Sequence, residues 1–469
     1  MRVDVATPLP LEAQANDRLS APATHSHLAL RHYVPALDGV RGLAILVVMF
    51  CHFVWIVVEQ SPAPDKISRN LVELMKTGRY GVDLFFVLSG YLITGILWDA
   101  KHDKHYFRNF YARRTLRIFP LYYTVLLIMF VLLPVLGVHW NSTGEQQVVR
   151  NQAWLWTYLG NMKNAFGGPE FFHQDRLWMG HFWSLAIEEQ FYLVWPTVIL
   201  FLSRNKAMRL CLGMIVAAPL IRMVLFAALT GHGPEGRAGL DAALYFSFSK
   251  LDTLALGAFL ALAARGPQRL AVYAKAAPLT LAGTALLLAP LIVLKFNKTS
   301  MLGGASESIK LSVICLFCGS LLVLAARSDG RGIAGRIFTN PFMRFLGKYS
   351  YGIYIFHELL APVFNGPLGI ARLMPRLGNS WYLAMAVHFV LAFSIAIGIA
   401  LVSWNLLEKH MLKLKRFFEH EPPPSAARAL QAIGITPPAV PIDIPITPPA
   451  AIPMPAPTTA AVRETTSAA

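Results

Sequence analysis

Apolar runs of about 18 to 24 residues recur from residue 40 to residue 406, and each can cross a hydrocarbon layer of roughly 30 Å at 1.5 Å per residue. Only 14% of the 469 residues are charged, against roughly 25% in an ordinary soluble protein, which is too few for a water-soluble surface. The chain therefore reads as an all-α, polytopic transmembrane helical bundle. Its net charge of +16 would suggest nucleic acid if it sat on one soluble face. It sits instead in short loops between apolar runs, where positive charge sets orientation, so no nucleic-acid partner is expected.

Ten spans are expected, at 39–58, 82–99, 118–138, 183–202, 208–229, 244–264, 276–294, 311–326, 345–364 and 383–406. An even number puts both ends on one side. The loop 101–117 carries Lys101, Lys104, Arg108, Arg113, Arg114 and Arg117, and the loops 203–209, 265–275, 327–344 and 409–416 are also basic. This alternate set is more than twice as dense in Lys and Arg as the opposite set, so both termini are expected in the cytoplasm. The longest outer loop, 139–182, is rich in Trp and suits an interfacial segment. Residues 1–32 lack the features of a signal peptide and read as a disordered extension, and 421–469 as a Pro/Ala-rich disordered cytoplasmic tail. The domain between them is 33–420. Cys51, Cys211, Cys315 and Cys318 all fall in apolar runs, where thiols pack as small hydrophobes, and no metal is expected.

Charges inside a bilayer cost roughly 2.5 to 3.5 kcal/mol each on insertion scales and mark function by default. His52 lies six residues from the outer end of the first span, roughly 9 Å in. Glu188 in the fourth span, Asp252 in the sixth and His357 in the ninth come to a similar depth. If their faces converge, they form a buried polar layer in which a carboxylate holds a His near neutrality. Each has a blander reading: a lone His packs with a hydrogen bond, Glu188 and Glu189 bridge helices, and Lys250 neutralises Asp252 two residues away. Arg41 and His52 are eleven residues apart, about 1100° of turn, so they share one helix face roughly 16 Å apart along the axis. A coenzyme A thioester, with anionic groups at the cytoplasmic face and a long arm into the membrane, would meet both. Arg113, Arg114 and Arg117 add cations beside the third span, although orientation by positive charge accounts for basic loops equally well.

At these residues the sequence resembles the acyltransferase family 3 membrane proteins, which O-acylate extracytoplasmic glycans and some small molecules. The likeness is carried by Leu37-Asp38-Gly39-Val40-Arg41-Gly42-Leu43-Ala44-Ile45, with His52 completing an Arg, ten residues, His motif. It continues through Gly81-Val82-Asp83-Leu84-Phe85-Phe86-Val87-Leu88-Ser89-Gly90-Tyr91-Leu92-Ile93, then Arg114-Thr115-Leu116-Arg117-Ile118-Phe119-Pro120-Leu121-Tyr122, then Trp183-Ser184-Leu185-Ala186-Ile187-Glu188-Glu189-Gln190-Phe191-Tyr192. Weaker stretches begin at Asp252 and Gly347, the latter ending on His357. The resemblance implies His52 as catalytic base, Arg41 as its companion, Arg114 and Arg117 as donor-binding residues, and Asp83 and Glu188 as supporting acids. Asp252, His357, Ser89 and Tyr192 are further candidates. Three positions depart from the family pattern: Lys250 where Arg is frequent, Glu358 where Trp is frequent, and Lys409-His410 after Glu408.

The expectation is a multi-pass inner-membrane O-acyltransferase. It would take an acyl group, acetyl foremost, from cytoplasmic acyl-CoA (acetyl-CoA) and place it on a hydroxyl of a glycan or lipid-linked saccharide. His52 would act as base or carry the acyl group transiently. A secondary transporter with a buried charged site is the leading alternative, although no paired inverted halves are evident. A membrane sensor with a Pro-rich partner-binding tail is the third.

Overall fold

The computed structural model describes residues 34–418 apart from 169–171, 232–236, 268–269, 294–299, 329 and 331. The expected extension 1–32 and tail 421–469 lie outside the described residues. The principal helices are α1 (Pro35–Gln60), α2 (Lys66–Lys76), α3 (Gly81–Asp99), α4 (Tyr106–Leu127), α5 (Thr143–Arg150), α6 (Phe182–Phe201), α7 (Arg204–Leu229), α8 (Leu251–Ala264), α9 (Ala271–Val293), α10 (Met301–Ala326), α11 (Pro341–Leu359) and α12 (Trp381–Ser403). A two-residue antiparallel ladder, His173–Gln174 against Leu177–Trp178, is the only strand pairing among the described residues. The protein is an all-α, multi-pass membrane bundle.

Every expected span overlaps helix, and eight helical segments among the described residues are long and apolar enough to cross a membrane. α6 and α11 fall outside that set. They carry Glu188, Glu189 and Gln190, and Lys348, His357 and Glu358, so the residues that lower their apolar content are those the sequence marks as chemical. Several boundaries differ from expectation. α4 begins at Tyr106, so Arg108, Arg113, Arg114 and Arg117 of the expected loop 101–117 lie on the helix. α8 begins at Leu251, after an extended Phe246 and a short 3₁₀ turn, rather than at 244. α10 begins ten residues before the apolar run at 311, because Glu307 pairs with Lys310 one turn on and, at 2.8 Å, with Arg79. α11 ends at Leu359, and a separate short helix, Ala361–Asn365, follows with Pro362 in its first turn. α11 starts where Asn340 accepts the Phe342 amide and Pro341 occupies the first helical position. Ser380 caps α12 in the same way by accepting from Leu383.

Glycine contacts set how the helices pack, since apolar lipid gives one helix little reason to prefer another. α1 and α11 approach so closely that a Cβ on Gly42 would fall 1.9 Å from the Met343 carbonyl oxygen, and one on Gly347 1.9 Å from that of Asp38. α3 and α8 meet likewise at Gly90 against Leu254 and Gly257 against Val87. Two tight pairs, α1 with α11 and α3 with α8, thus form the centre. α7, α9 and α12 present Leu220, Val224, Leu279, Leu286 and Val390 outward, as a lipid-facing surface requires.

Two ion pairs are buried between the helices. Lys250 Nζ lies 2.9 Å from Asp83 Oδ1, and Arg222 Nη2 lies 2.9 Å from Asp252 Oδ2, with all four side chains at most 5% exposed. Arg222 also donates to the Ser249 carbonyl at 2.6 Å and to Ser312 Oγ at 2.7 Å. The expectation that Lys250 neutralises Asp252 is therefore corrected: the lysine reaches across to α3, and the arginine on α7 takes the aspartate. Their backbone positions explain it, because Lys250 ends a short 3₁₀ turn just before α8, while Asp252 lies in the first turn of α8.

Candidate active site

α1, α3, α4, α6 and α11 together line a cavity of about 770 Å³, its open mouth included. Three arginines, Arg41 on α1 and Arg114 and Arg117 one turn apart on α4, face it together. Like charges gathered this way repel one another and gain from an anion among them. Arg41 is partly offset by Asp38, 3.4 Å away and one turn earlier on the same helix, and Arg114 lies over the Tyr192 ring, 5.0 Å from its centroid. Ser89, Glu188 and Tyr192 form the acidic side: the Ser89 and Tyr192 hydroxyls share a hydrogen bond, and Glu188 sits among them within range of Arg114 and Arg41.

Tyr354, Ser184 and Phe85 close the far wall. Tyr354 Oη donates to the His181 carbonyl at 2.9 Å and receives the Ser184 hydroxyl at 2.6 Å. The Tyr354 ring also lies 5.4 Å, centroid to centroid, from both His181 and His357. Behind it stands a second group of side chains: His52, His181, His357 and Glu358.

Their hydrogen positions follow from their partners. His357 Nδ1 lies 2.7 Å from the Tyr354 carbonyl oxygen, which can only accept, so Nδ1 carries the hydrogen and Nε2 of the neutral ring is an acceptor. That Nε2 lies 3.1 Å from His52 Nδ1, which also faces the Val48 carbonyl at 3.1 Å. With two acceptors before it, His52 Nδ1 must carry its hydrogen. His52 Nε2 is then the unprotonated, basic nitrogen. This tautomer is assigned from the hydrogen-bond pattern. His52 is the most open of the four, with 27% of its side chain exposed, while His181 and Glu358 are almost fully buried.

His52, His357 and Glu358 offer nitrogen and carboxylate atoms within 4.8 Å of one another. The lone pair of His357 Nε2 is engaged by His52 Nδ1, and Glu358 Oε2 stands 4.0 Å from His52 Nε2.

The sequence-predicted residues therefore divide. Arg41, Arg114, Arg117, Glu188, Ser89 and Tyr192 come together at the cavity, and His52 and His357 meet behind its wall. Asp83 and Asp252 join neither group and sit in the ion pairs with Lys250 and Arg222. The single polar layer of His52, Glu188, Asp252 and His357 is corrected: equal depth fixes a position along the helix axis and leaves open which neighbour a residue faces. His181 and Glu358 were absent from the expected site. Glu358 had left a signal, as a departure from the family pattern beside His357. Arg222, a charge in the middle of an apolar run, was equally visible.

Comparison with known proteins accords with this geometry. The model of the acyltransferase domain of acyltransferase family 3 matches residues 34–405. The chain belongs to this acyltransferase family. It is 28% identical over 379 residues to the peptidoglycan O-acetyltransferase OatA of Listeria monocytogenes, covering 77% of this chain and 54% of that protein. It is 25% identical over 396 residues to the provisionally named peptidoglycan O-acetyltransferase YrhL of Bacillus subtilis, covering 80% and 54%. The chain spans about half the length of the curated relatives it matches. No solved structure matches it. Within the family frame, Arg41 and His52 of the Arg, ten residues, His motif serve different compartments: the arginine lines the cavity and the histidine stands beyond its wall.

Proposed function

We propose that this chain is an inner-membrane O-acetyltransferase that carries an acetyl group from cytoplasmic acetyl-CoA to a glycan hydroxyl, with peptidoglycan, the acceptor named for its relatives, as the first candidate. The observation that carries this reading is the convergence of Arg41, Arg114 and Arg117 on one cavity whose far wall backs on the His52 network. Arginine is suited to phosphate, binding it with paired charge-assisted hydrogen bonds. The roughly 16 Å rise from Arg41 to His52 matches a ligand whose phosphates stay at one end while a thin thioester arm reaches the other. The basic-loop asymmetry supports ten spans with both ends cytoplasmic, which puts the arginines on the side where acyl-CoA is found.

In this reading His52 Nε2 takes the proton of the acceptor hydroxyl as its oxygen attacks the thioester carbonyl. The carbon–sulfur bond breaks, coenzyme A leaves as the thiolate, and that thiolate recovers a proton. The sum is one ester and one thiol formed from one alcohol and one thioester. Purified protein in lipid vesicles, given acetyl-CoA and peptidoglycan fragments, should release coenzyme A and acetylate the glycan. His52→Ala should lower turnover by about 10² to 10⁴, the usual contribution of a general base, without loss of the folded protein. Retention of more than about a tenth of the wild-type rate would remove His52 from the chemistry and return weight to a transporter.

A further inference from the structure

Glu358 follows His357 on α11 and is nearly buried beside three histidines. Its Oε2 lies 2.9 Å from His181 Nδ1 and 4.0 Å from His52 Nε2. His181 Nε2 lies 3.2 Å from the Ile355 carbonyl oxygen and therefore carries a hydrogen. The Glu358 carboxylate thus lies at ion-pair distance from both the His181 and the His52 rings.

We propose that Glu358, held by His181, is the counter-charge of His52: a positioning residue that stabilises the His52 imidazolium formed when Nε2 takes the acceptor's proton. This rests on the function proposed above and adds a residue to it. The bond made is N–H on His52 and the bond broken is O–H on the acceptor. No proton passes to Glu358. Around the two residues, the Val48 carbonyl and His357 Nε2 accept from His52 Nδ1, and Tyr354 donates its hydroxyl to the His181 carbonyl. Cys51 and Tyr245 lie within electrostatic range of Glu358, with Arg79, a cation, in range of both. The Glu358 carboxylate stands 4.0 Å from the nitrogen that takes the proton.

The test uses the full-length protein in lipid vesicles, with Glu358→Gln and Glu358→Asp. Both variants are first checked for the wild-type elution profile. The first readout is independent of activity: diethylpyrocarbonate modification of His52, followed by peptide mass spectrometry across pH. The Glu358→Gln protein should reach half-maximal His52 modification about one pH unit lower than wild type, since each unit corresponds to a tenfold change in the protonation equilibrium. The second readout is transfer from acetyl-CoA. Glu358→Gln should lower kcat about ten- to a hundredfold and move the acid limb of the pH–rate profile to lower pH. Its KM for acetyl-CoA should be unchanged, because the arginine cavity is untouched, and Glu358→Asp should recover most of kcat.

An unmoved His52 midpoint in Glu358→Gln overturns the proposal. So does an equal loss of kcat in both variants with unmoved pH profiles, which is the mark of a packing role. Wild-type protein that transfers nothing would sink the functional reading, while the modification midpoint still decides whether Glu358 and His52 are coupled.

Discussion

Lys250 and Asp83 give a double-mutant test of how this bundle carries charge. Their side chains, 5% and 4% exposed, meet at 2.9 Å between α3 and the turn before α8. Removing one partner leaves the other charge buried without it, which costs about 3 to 5 kcal/mol, whereas an apolar pair of similar volume is often neutral or stabilising. The orphaned group limits its own penalty by gaining or losing a proton, which is why the expected figure is a few kcal/mol and far below the ideal cost of burying an ion. Lys250→Met leaves Asp83 buried without its lysine, while Arg222 stays with Asp252, so it should fall at the upper end. Asp83→Leu leaves Lys250 over the Trp183 ring, 6.0 Å from its centroid, a weaker partner. Each single variant should lose about 3 to 5 kcal/mol in reversible unfolding from mixed micelles, and the double variant should return to within about 2 kcal/mol of wild type. The coupling energy would then exceed the 0.5 kcal/mol or so expected of independent sites. Additive losses in the double variant would refute the claim that the pair is held as an ion pair.

Arg114→Ala with Arg117→Ala should raise KM for acetyl-CoA about a hundredfold or more, taking roughly 1.5 to 3 kcal/mol for each lost charge-assisted contact; wild-type donor kinetics in saturation curves would leave the cluster as a marker of orientation only. Outside the spans, the hydrogen bonds of Arg176 at 2.7 and 2.9 Å hold the Glu145 carboxyl below its usual range, helped by the Ser142 amide that its capping box satisfies. Because the folded value is depressed, this contribution is present above the ordinary carboxylate value of about 4.3 and fades as pH falls through the lower folded value. Proteolysis of the segment 137–181 should therefore accelerate in acid below about pH 4, and Arg176→Gln should move that onset upward. Tyr354→Phe removes a hydroxyl that both donates and accepts, and should cost about 1 to 2 kcal/mol of stability while leaving His52 modification at its wild-type midpoint.

The apolar runs made the helices legible because a bilayer imposes length as well as composition, and each run overlaps helix, with 244–264 interrupted at Phe246 and 345–364 at Leu360. Partners were less legible for a geometric reason. Counting residues from a span's end gives depth, and depth put His52 with His357 correctly but also grouped Glu188 and Asp252 with them. Which face looks where depends on how helices pack, and here that is set by glycines such as Gly42, Gly90 and Gly257, whose close approaches have no periodic signature. Asp252 was given the nearest cation in sequence, Lys250, when the neighbour in space was Arg222 on α7. That arginine lies in mid-run, where the cost of a buried charge already marks a residue. His181 lies in the aromatic loop 139–182, which was read only as an interfacial segment, and it enters the site where α6 begins at Phe182 and its ring meets the Ile355 carbonyl of α11.

Tyr354 links the two halves of the site through different atoms. Its hydroxyl, tied to Ser184 and His181, closes the arginine-lined cavity. Its carbonyl fixes the hydrogen on His357 Nδ1, and through His357 the tautomer of His52. The partition between cavity and base is thus made by the residue that sets the base's proton, and the two functions can be separated by chemistry: a side-chain change touches the wall, while the carbonyl belongs to the helix and survives any substitution that keeps α11 helical. Under the function proposed above, the thioester and the hydroxyl lie on opposite sides of this packed wall, and parting it at Tyr354 would break two buried hydrogen bonds at one side chain, about 1 to 3 kcal/mol, a cost small enough to be crossed once in each turnover.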